Sequence, residues 1–213
     1  MKVSVSILRD KDKFKDTIKA LNNTHADYIH LDVLDNTFAP FTSFELKAFS
    51  KIKSSTPYDI HIMSTNMGFQ VEEAIKLKPE IITVQYEAVR RRDINKYLDL
   101  IKENGIKAGI AINPKTSIRK VKKYFKKIDY LLVMGVYAGQ GGQEFIPKTV
   151  RKLKKLMKIK HDFLVGLDGG VNYEVTKLVS DKVDVLVAGN YILSSNSYED
   201  QILKLNHIKI TKK

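Results

Sequence analysis

Eight short runs of branched apolar residues return along this chain of 213 residues, separated by stretches whose apolar positions recur every three or four residues. A strand buried on both faces needs no alternation of polar residues, and an amphipathic helix after it covers one of those faces. The runs occupy residues 3–8, 27–33, 58–63, 80–85, 107–112, 130–134, 163–167 and 183–188, with starts about 26 residues apart. Helical patterns fill 11–22, 44–54, 67–78, 93–104, 117–126 and 147–158. Pro147 suits a first helical turn, and Asn104-Gly105 suits a helix C-terminus. Eight consecutive strand-helix units predict an α/β fold closed into a (β/α)8 TIM barrel; an open doubly wound sheet is the alternative if fewer strands form. No linker or low-complexity tract interrupts the pattern, so one domain spanning 1–213 is expected. In such a barrel the polar residues at the C-terminal ends of the strands are the candidates for chemistry.

Hydrophobic residues make up 43% of the chain, enough for one large core. Cysteine is missing, which removes disulfides, thiolate ligands and a thiol nucleophile and fits a reducing cytoplasm. The first apolar run is too short for a signal-peptide core and is broken at once by Arg9 and Asp10. The longest apolar run, near 131–139, is about half of the roughly 20 residues a membrane-spanning helix needs. A soluble, cytoplasmic protein is expected. The net charge of +13 raises the question of nucleic acid, yet only six of the 37 basic residues are arginine, the better reader of bases and phosphates. The densest lysine tracts, 120–127 and 151–160, interleave with Val121, Tyr124, Phe125, Leu153 and Leu156 at helical spacing, as solvated helix faces do. Neither a nucleic-acid partner nor a membrane is therefore expected, and the positive field favours small anionic substrates.

Strand two ends in Tyr28-Ile29-His30-Leu31-Asp32-Val33, and alternation along a strand sends His30 and Asp32 to the same side, into the barrel. Strand three brings His61 within Asp59-Ile60-His61-Ile62-Met63, and strand seven brings Asp168 before Gly169-Gly170. Taken singly, a strand histidine is an ordinary hydrogen-bonded residue and Asp-Gly-Gly an ordinary turn. Together, two imidazoles and two carboxylates at one end of three strands would leave buried charge unpaired unless they met a metal or each other. The set suits one divalent ion, Zn2+, Fe2+, Mn2+ or Co2+, without choosing among them. Glycines follow three successive strands: Gly139-Gln140-Gly141-Gly142-Gln143, Gly169-Gly170, and Gly189-Asn190. Each is also a plain turn former, but in these loops a barrel commonly holds phosphate against exposed backbone N–H groups.

These segments, in this order, resemble the ribulose-phosphate 3-epimerase family over almost the whole chain. The similarity runs through Ser6-Ile7-Leu8, the His30-x-Asp32-Val33-x-Asp35 segment, residues 59–63, 109–114 and 141–147, Asp168-Gly169-Gly170-Val171-Asn172, and Val187-Ala188-Gly189. The resemblance implies a barrel of the ribulose-phosphate-binding type and a 1,1-proton transfer at C3 of a ketose phosphate, in the pentose phosphate pathway. It implies that His30, Asp32, His61 and Asp168 hold the metal. Asp32 and Asp168 would also act as the acid/base pair, one on each face of the substrate. Ser6, His61, Met63 and Met134 would contact the substrate near the reacting carbons, and Gly141, Gly142, Gln143, Gly169, Gly170, Gly189 and Asn190 would hold its phosphate. A homo-oligomer is implied as well. The chain departs from the family where Leu34-Asp35-Asn36 replaces Met-Asp-Gly and where Gln85 stands for a histidine. It departs again along residues 135–140 after strand six, and at Asn190 in place of serine.

Three other readings compete. An epimerase of a six-carbon ketose phosphate such as allulose 6-phosphate would share the metal site. A metal-free isomerase resembling triosephosphate isomerase would need a strand-end glutamate paired with a lysine, which these strand ends lack. A non-catalytic basic barrel binding nucleic acid would have no use for the four ligands.

Overall fold

All eight expected strands form in the computed structural model, which describes residues 1–139 and 141–207. They are β1 (Lys2–Ser6), β2 (Tyr28–Leu34), β3 (Tyr58–Met63), β4 (Ile81–Gln85), β5 (Lys107–Ile112), β6 (Tyr130–Met134), β7 (Leu164–Asp168) and β8 (Val185–Ala188). Each pairs in parallel with the next, and β8 returns to β1 through the Lys2↔Val185 to Val5↔Ala188 register. That last ladder closes the barrel and excludes the open sheet.

Branched residues facing outward, such as Leu31, Ile60, Ile110 and Val133, pack under the surrounding helices and are fully or almost fully buried. Residues facing inward divide into an apolar lower part and a polar upper layer. The lower part contains Tyr28, Ile81, Leu132, Val185 and the completely buried Tyr130. The ring of Tyr130 fits because its neighbours on the two adjacent strands, β5 and β7, are glycines. A Cβ on Gly166 would stand 1.9 Å from Tyr130 Oη, and one on Gly109 would stand 3.2 Å from Tyr130 Cδ1. Above this plug the register sets Ser6 beside His30, His30 beside Asp59, Asp32 beside His61, and Met134 beside Asp168. The parallel pairing thus turns residues distant in sequence into one layer.

Helices α1 (Phe14–Leu21), α2 (Met67–Lys76), α3 (Ile94–Glu103) and α4 (Lys148–Leu156) occupy expected ranges, each shorter by a few residues. Asn104 caps α3 and Gly105 takes φ +73°, the left-handed closure its sequence predicts. Pro147 sits one position earlier than expected, as the N-cap of α4. Strand β1 stops at Ser6, and Leu8 begins a 3-10 turn (Leu8–Asp10). Two expected helices are not α-helices. Residues 117–126 form two 3-10 turns, Ile118–Lys120 and Lys122–Tyr124, because the buried positions Ile118, Val121 and Tyr124 recur at a strict interval of three, the period of that helix. Residues 44–54 hold only the 3-10 turn Leu46–Phe49, anchored by Phe44 and Phe49 against the ring of Phe14, with centroids 5.6 and 4.8 Å away. Three further helices complete the shell: α5 (Tyr173–Val179), α6 (Asn190–Leu193) and α7 (Tyr198–Asn206). Asn172 caps α5 by accepting from the Val175 N–H, and Ser197 caps α7 by accepting from that of Asp200. No helix among the described residues is long and apolar enough to cross a membrane.

Candidate active site

At the C-terminal mouth, β2 delivers His30 and Asp32, β3 delivers His61, and β7 delivers Asp168. One ligand atom from each lies within 4.8 Å of all the others. His30 Nδ1 donates to Asp59 Oδ2 at 2.8 Å. A carboxylate only accepts, so this bond keeps the ring's proton on Nδ1 and turns the Nε2 lone pair inward, 3.4 Å from Asp32 Oδ1. His61 Nε2 meets Gln85 Oε1 at 2.8 Å, which leaves Nδ1 facing Asp32 Oδ1 at 3.5 Å and Asp168 Oδ2 at 3.9 Å. Both histidines are completely buried, and neither inward nitrogen has a hydrogen-bond partner. Lone pairs of two imidazoles and two carboxylates therefore converge on one buried point, where without a cation they repel. Two nitrogen and two oxygen donors at this spacing fit a divalent metal ion, and the outer nitrogen of each histidine faces an oxygen, of Asp59 or of Gln85.

The charges of the metal-free cluster follow from the same geometry. Burial, and next the charge of Asp32, push the Asp168 carboxyl up to about 6. Burial works against the ionised form of Asp32 too, but His30 and then His61 hold its carboxyl far below the usual carboxylate range. Burial opposes charging His30, yet Asp59 and Asp32 lift its imidazole well above the ordinary value. Protons thus supply the positive charge that a bound metal ion would otherwise bring.

Above the cluster opens a cavity of about 1010 Å³. Ser6, Asp32, Met63, Met134 and Asp168 line it, and so do Gly141, Gly142, Gln143, Gly169, Gly170, Gly189 and Asn190. Every residue expected to touch substrate is therefore at this cavity except His61, which with His30 lies beneath its floor. Ser6 Oγ donates to Asp32 Oδ2 at 2.9 Å, leaving Asp32 Oδ1 to the cluster. Gly170 has φ +68°, and a Cβ there would stand 2.5 Å from the backbone nitrogen of Phe145, so only glycine brings the β6 and β7 loops together. Leu34 lines the cavity, and Asn36 holds φ +63°, a conformation that asparagine tolerates in place of glycine. Gln140 lies outside the described residues.

Sequence reasoning did not single out Asp59, Ser4, Glu87, Arg9, Phe41 or Tyr137. Asp59 accepts from both His30 and Ser4 Oγ, the latter at 3.0 Å. Its signal was available, since Asp59 is two residues before His61 and so faces the same way. Phe41 and Tyr137, each 40% exposed, flank the cavity mouth, and Arg9 stands on its wall with its guanidinium donating to Ser194 Oγ.

The sequence model of the ribulose-phosphate 3 epimerase family matches residues 2–193. This chain belongs to the ribulose-phosphate 3-epimerase family. It is 31% identical over 218 residues to the ribulose-phosphate 3-epimerase of Bacillus subtilis (strain 168), covering 98% of this chain and all of that one. It is 33% identical over 196 residues to the enzyme of the same name from Escherichia coli (strain K12), covering 88% and 86%. Among solved structures, a tryptophan synthase alpha-subunit from Pyrococcus furiosus superposes with a TM-score of 0.70 at 19% identity, over 97% of this chain and 98% of that one. At that identity the likeness is one of fold alone.

Proposed function

We propose that the chain, as one (β/α)8 domain, interconverts D-ribulose 5-phosphate and D-xylulose 5-phosphate by proton transfer at C3. The observation that carries this reading is the pair of carboxylates, Asp32 and Asp168, brought from strands on opposite sides of the mouth into one cluster with His30 and His61. His30, Asp32, His61 and Asp168 would hold a divalent ion, which when bound supplies Lewis acidity to the substrate's carbonyl oxygen. Epimerisation with no net redox change needs a proton removed from one face of C3 and another returned to the opposite face. A single base could only return it to the face it came from, so two are required. Asp32 and Asp168 meet that need, and their opposed tendencies, one ionised and one inclined to hold a proton, suit an acid and a base in the same turnover. Ser6 orients Asp32 through the 2.9 Å bond to its outer oxygen. Met63 and Met134 line the floor beside the carboxylates and keep water from the carbanionic centre. The glycine loops after β6, β7 and β8 would take the phosphate on their backbone N–H groups, with remote binding energy orienting the reacting carbons.

The variants Asp32→Asn and Asp168→Asn test the division of labour. Each should lose epimerisation, and each should retain C3 hydrogen exchange with at most one of the two epimers, a different one in each case. Full epimerisation by either variant would remove its residue from the acid/base pair.

A further inference from the structure

A histidine can offer a nitrogen to a metal only if its proton resides on the other one. For His30 the carboxylate of Asp59 settles the matter. For His61 the partner is an amide, Gln85, and an amide can present either an oxygen or an NH2 group. What decides is one residue further out. The Gln85 NH2 group donates to Glu87 Oε2, while Glu87 Oε1 accepts from the Asn113 N–H at 3.0 Å and from the hydroxyl of Thr116. Asn113 is itself pinned: its Oδ1 accepts from the Ala138 N–H at 2.8 Å and its carbonyl from Lys152 Nζ at 2.6 Å. Because a carboxylate has no proton to give, Gln85 must turn its NH2 toward Glu87 and its oxygen toward His61. His61 must then carry its proton on Nε2, which leaves the Nδ1 lone pair free among Asp32 and Asp168.

Resting on the metal reading of the cluster, we propose that Glu87 is a positioning residue. Acting through the completely buried Gln85, it sets the tautomer of His61 and thereby the site's affinity for a divalent ion. The substitution Glu87→Gln should reverse the chain. The Asn113 N–H keeps the new amide's oxygen where Oε1 was, so its NH2 faces Gln85. Gln85 then turns over, and its own NH2 confronts His61 Nε2. The imidazole shifts its proton to Nδ1, into the place of the metal. Exchanging the two groups, as Gln85→Glu/Glu87→Gln, restores an acceptor opposite His61 Nε2 and a donor behind it with no change in charge count.

Two readouts independent of turnover test this. The first is the tautomer of His61 in metal-stripped, 15N-histidine-labelled protein with the ring in its neutral form, assigned by the signal lost in His61→Asn. The second is the dissociation constant for Zn2+ and Co2+, measured by competition with a chromophoric chelator, with circular dichroism confirming the fold of each variant. Wild type should show the Nε2–H form; Glu87→Gln should show the Nδ1–H form and bind metal about 10–100-fold more weakly; the exchanged pair should recover both. An Nδ1–H tautomer in wild type overturns the inference without recourse to any variant. So does a folded Glu87→Gln protein with wild-type tautomer and affinity, or a folded exchanged pair that recovers neither. Failure of the wild type to bind any divalent ion would refute the metal reading itself, and is thereby distinguished from a wild type that binds metal indifferently to residue 87.

Discussion

Stripping the divalent ion with a chelator should leave a protein whose stability falls as pH rises from about 4.5 to about 7.5. The main source of the slope is Asp168. Its carboxyl moves from an ordinary 3.8 to about 6 in the fold, so the native state holds that proton more tightly than the unfolded chain does. The resulting stabilisation is complete below the unfolded value and is lost as pH climbs through about 6. His30 acts in the same direction: its raised imidazole contributes fully below its ordinary 6.5 and loses that contribution only as pH passes its higher folded value. Asp32 is depressed, contributes above its ordinary 3.8, and loses that contribution only in stronger acid, outside the window. The displacement of Asp168 corresponds to about 3 kcal/mol. About 2 kcal/mol of that remains to be lost above pH 4.5, and in a domain of this size each 1 kcal/mol moves Tm by about 2–4 °C, so metal-free protein should melt about 4–8 °C lower at the upper end of the range. Metal-loaded protein should lack this fall, because the ionised carboxylate is then a ligand. Calorimetric melts with and without chelator, for wild type and Asp168→Asn, separate this carboxyl from every other titrating group. A metal-free Tm that is flat or rising relative to Asp168→Asn would refute the reasoning.

Gly166→Ala drives a methyl into the ring of Tyr130 and should cost about 1–3 kcal/mol in urea unfolding, with a smaller loss in a Tyr130→Leu background that makes room for it. Asn172→Ala removes the 2.9 Å side-chain cap of α5 and should cost about 0.5–2 kcal/mol by the same measurement. Ser6→Ala frees the outer oxygen of Asp32, and should lower kcat more than it raises KM, with metal content per chain unchanged. A larger effect on KM than on kcat would place Ser6 in substrate binding instead.

The barrel was legible because buried parallel strands announce themselves as branched apolar runs, and eight of them leave few other ways to close a sheet. Helical segments were less legible where a period of three mimics one of 3.6, as at Ile118, Val121 and Tyr124. The four candidate ligands were readable from alternation along single strands, since His30 and Asp32 share a face of β2 whatever their neighbours do. Alternation also put Asp59 on the face of His61, but not beside His30, and nothing along a single strand marks Glu87, because such contacts depend on which residue the adjacent strand supplies. His30 meets Asp59 only through the β2–β3 register, and Glu87 reaches His61 only through Gln85. Gln85 looked like a bare departure from the family's histidine. Its side chain still accepts a bond from His61, but through an amide whose direction a further residue must fix.

The most direct test is hydrogen exchange at C3. Ribulose 5-phosphate incubated with the enzyme in D2O should take up a single deuterium at C3 and yield xylulose 5-phosphate labelled at the same carbon. Chelation should abolish both, and returning Zn2+, Fe2+, Mn2+ or Co2+ should restore both. Label entering at C1, or undiminished exchange by protein verified to be free of metal, would contradict the assignment of a metal-assisted epimerase with Asp32 and Asp168 as its two proton carriers.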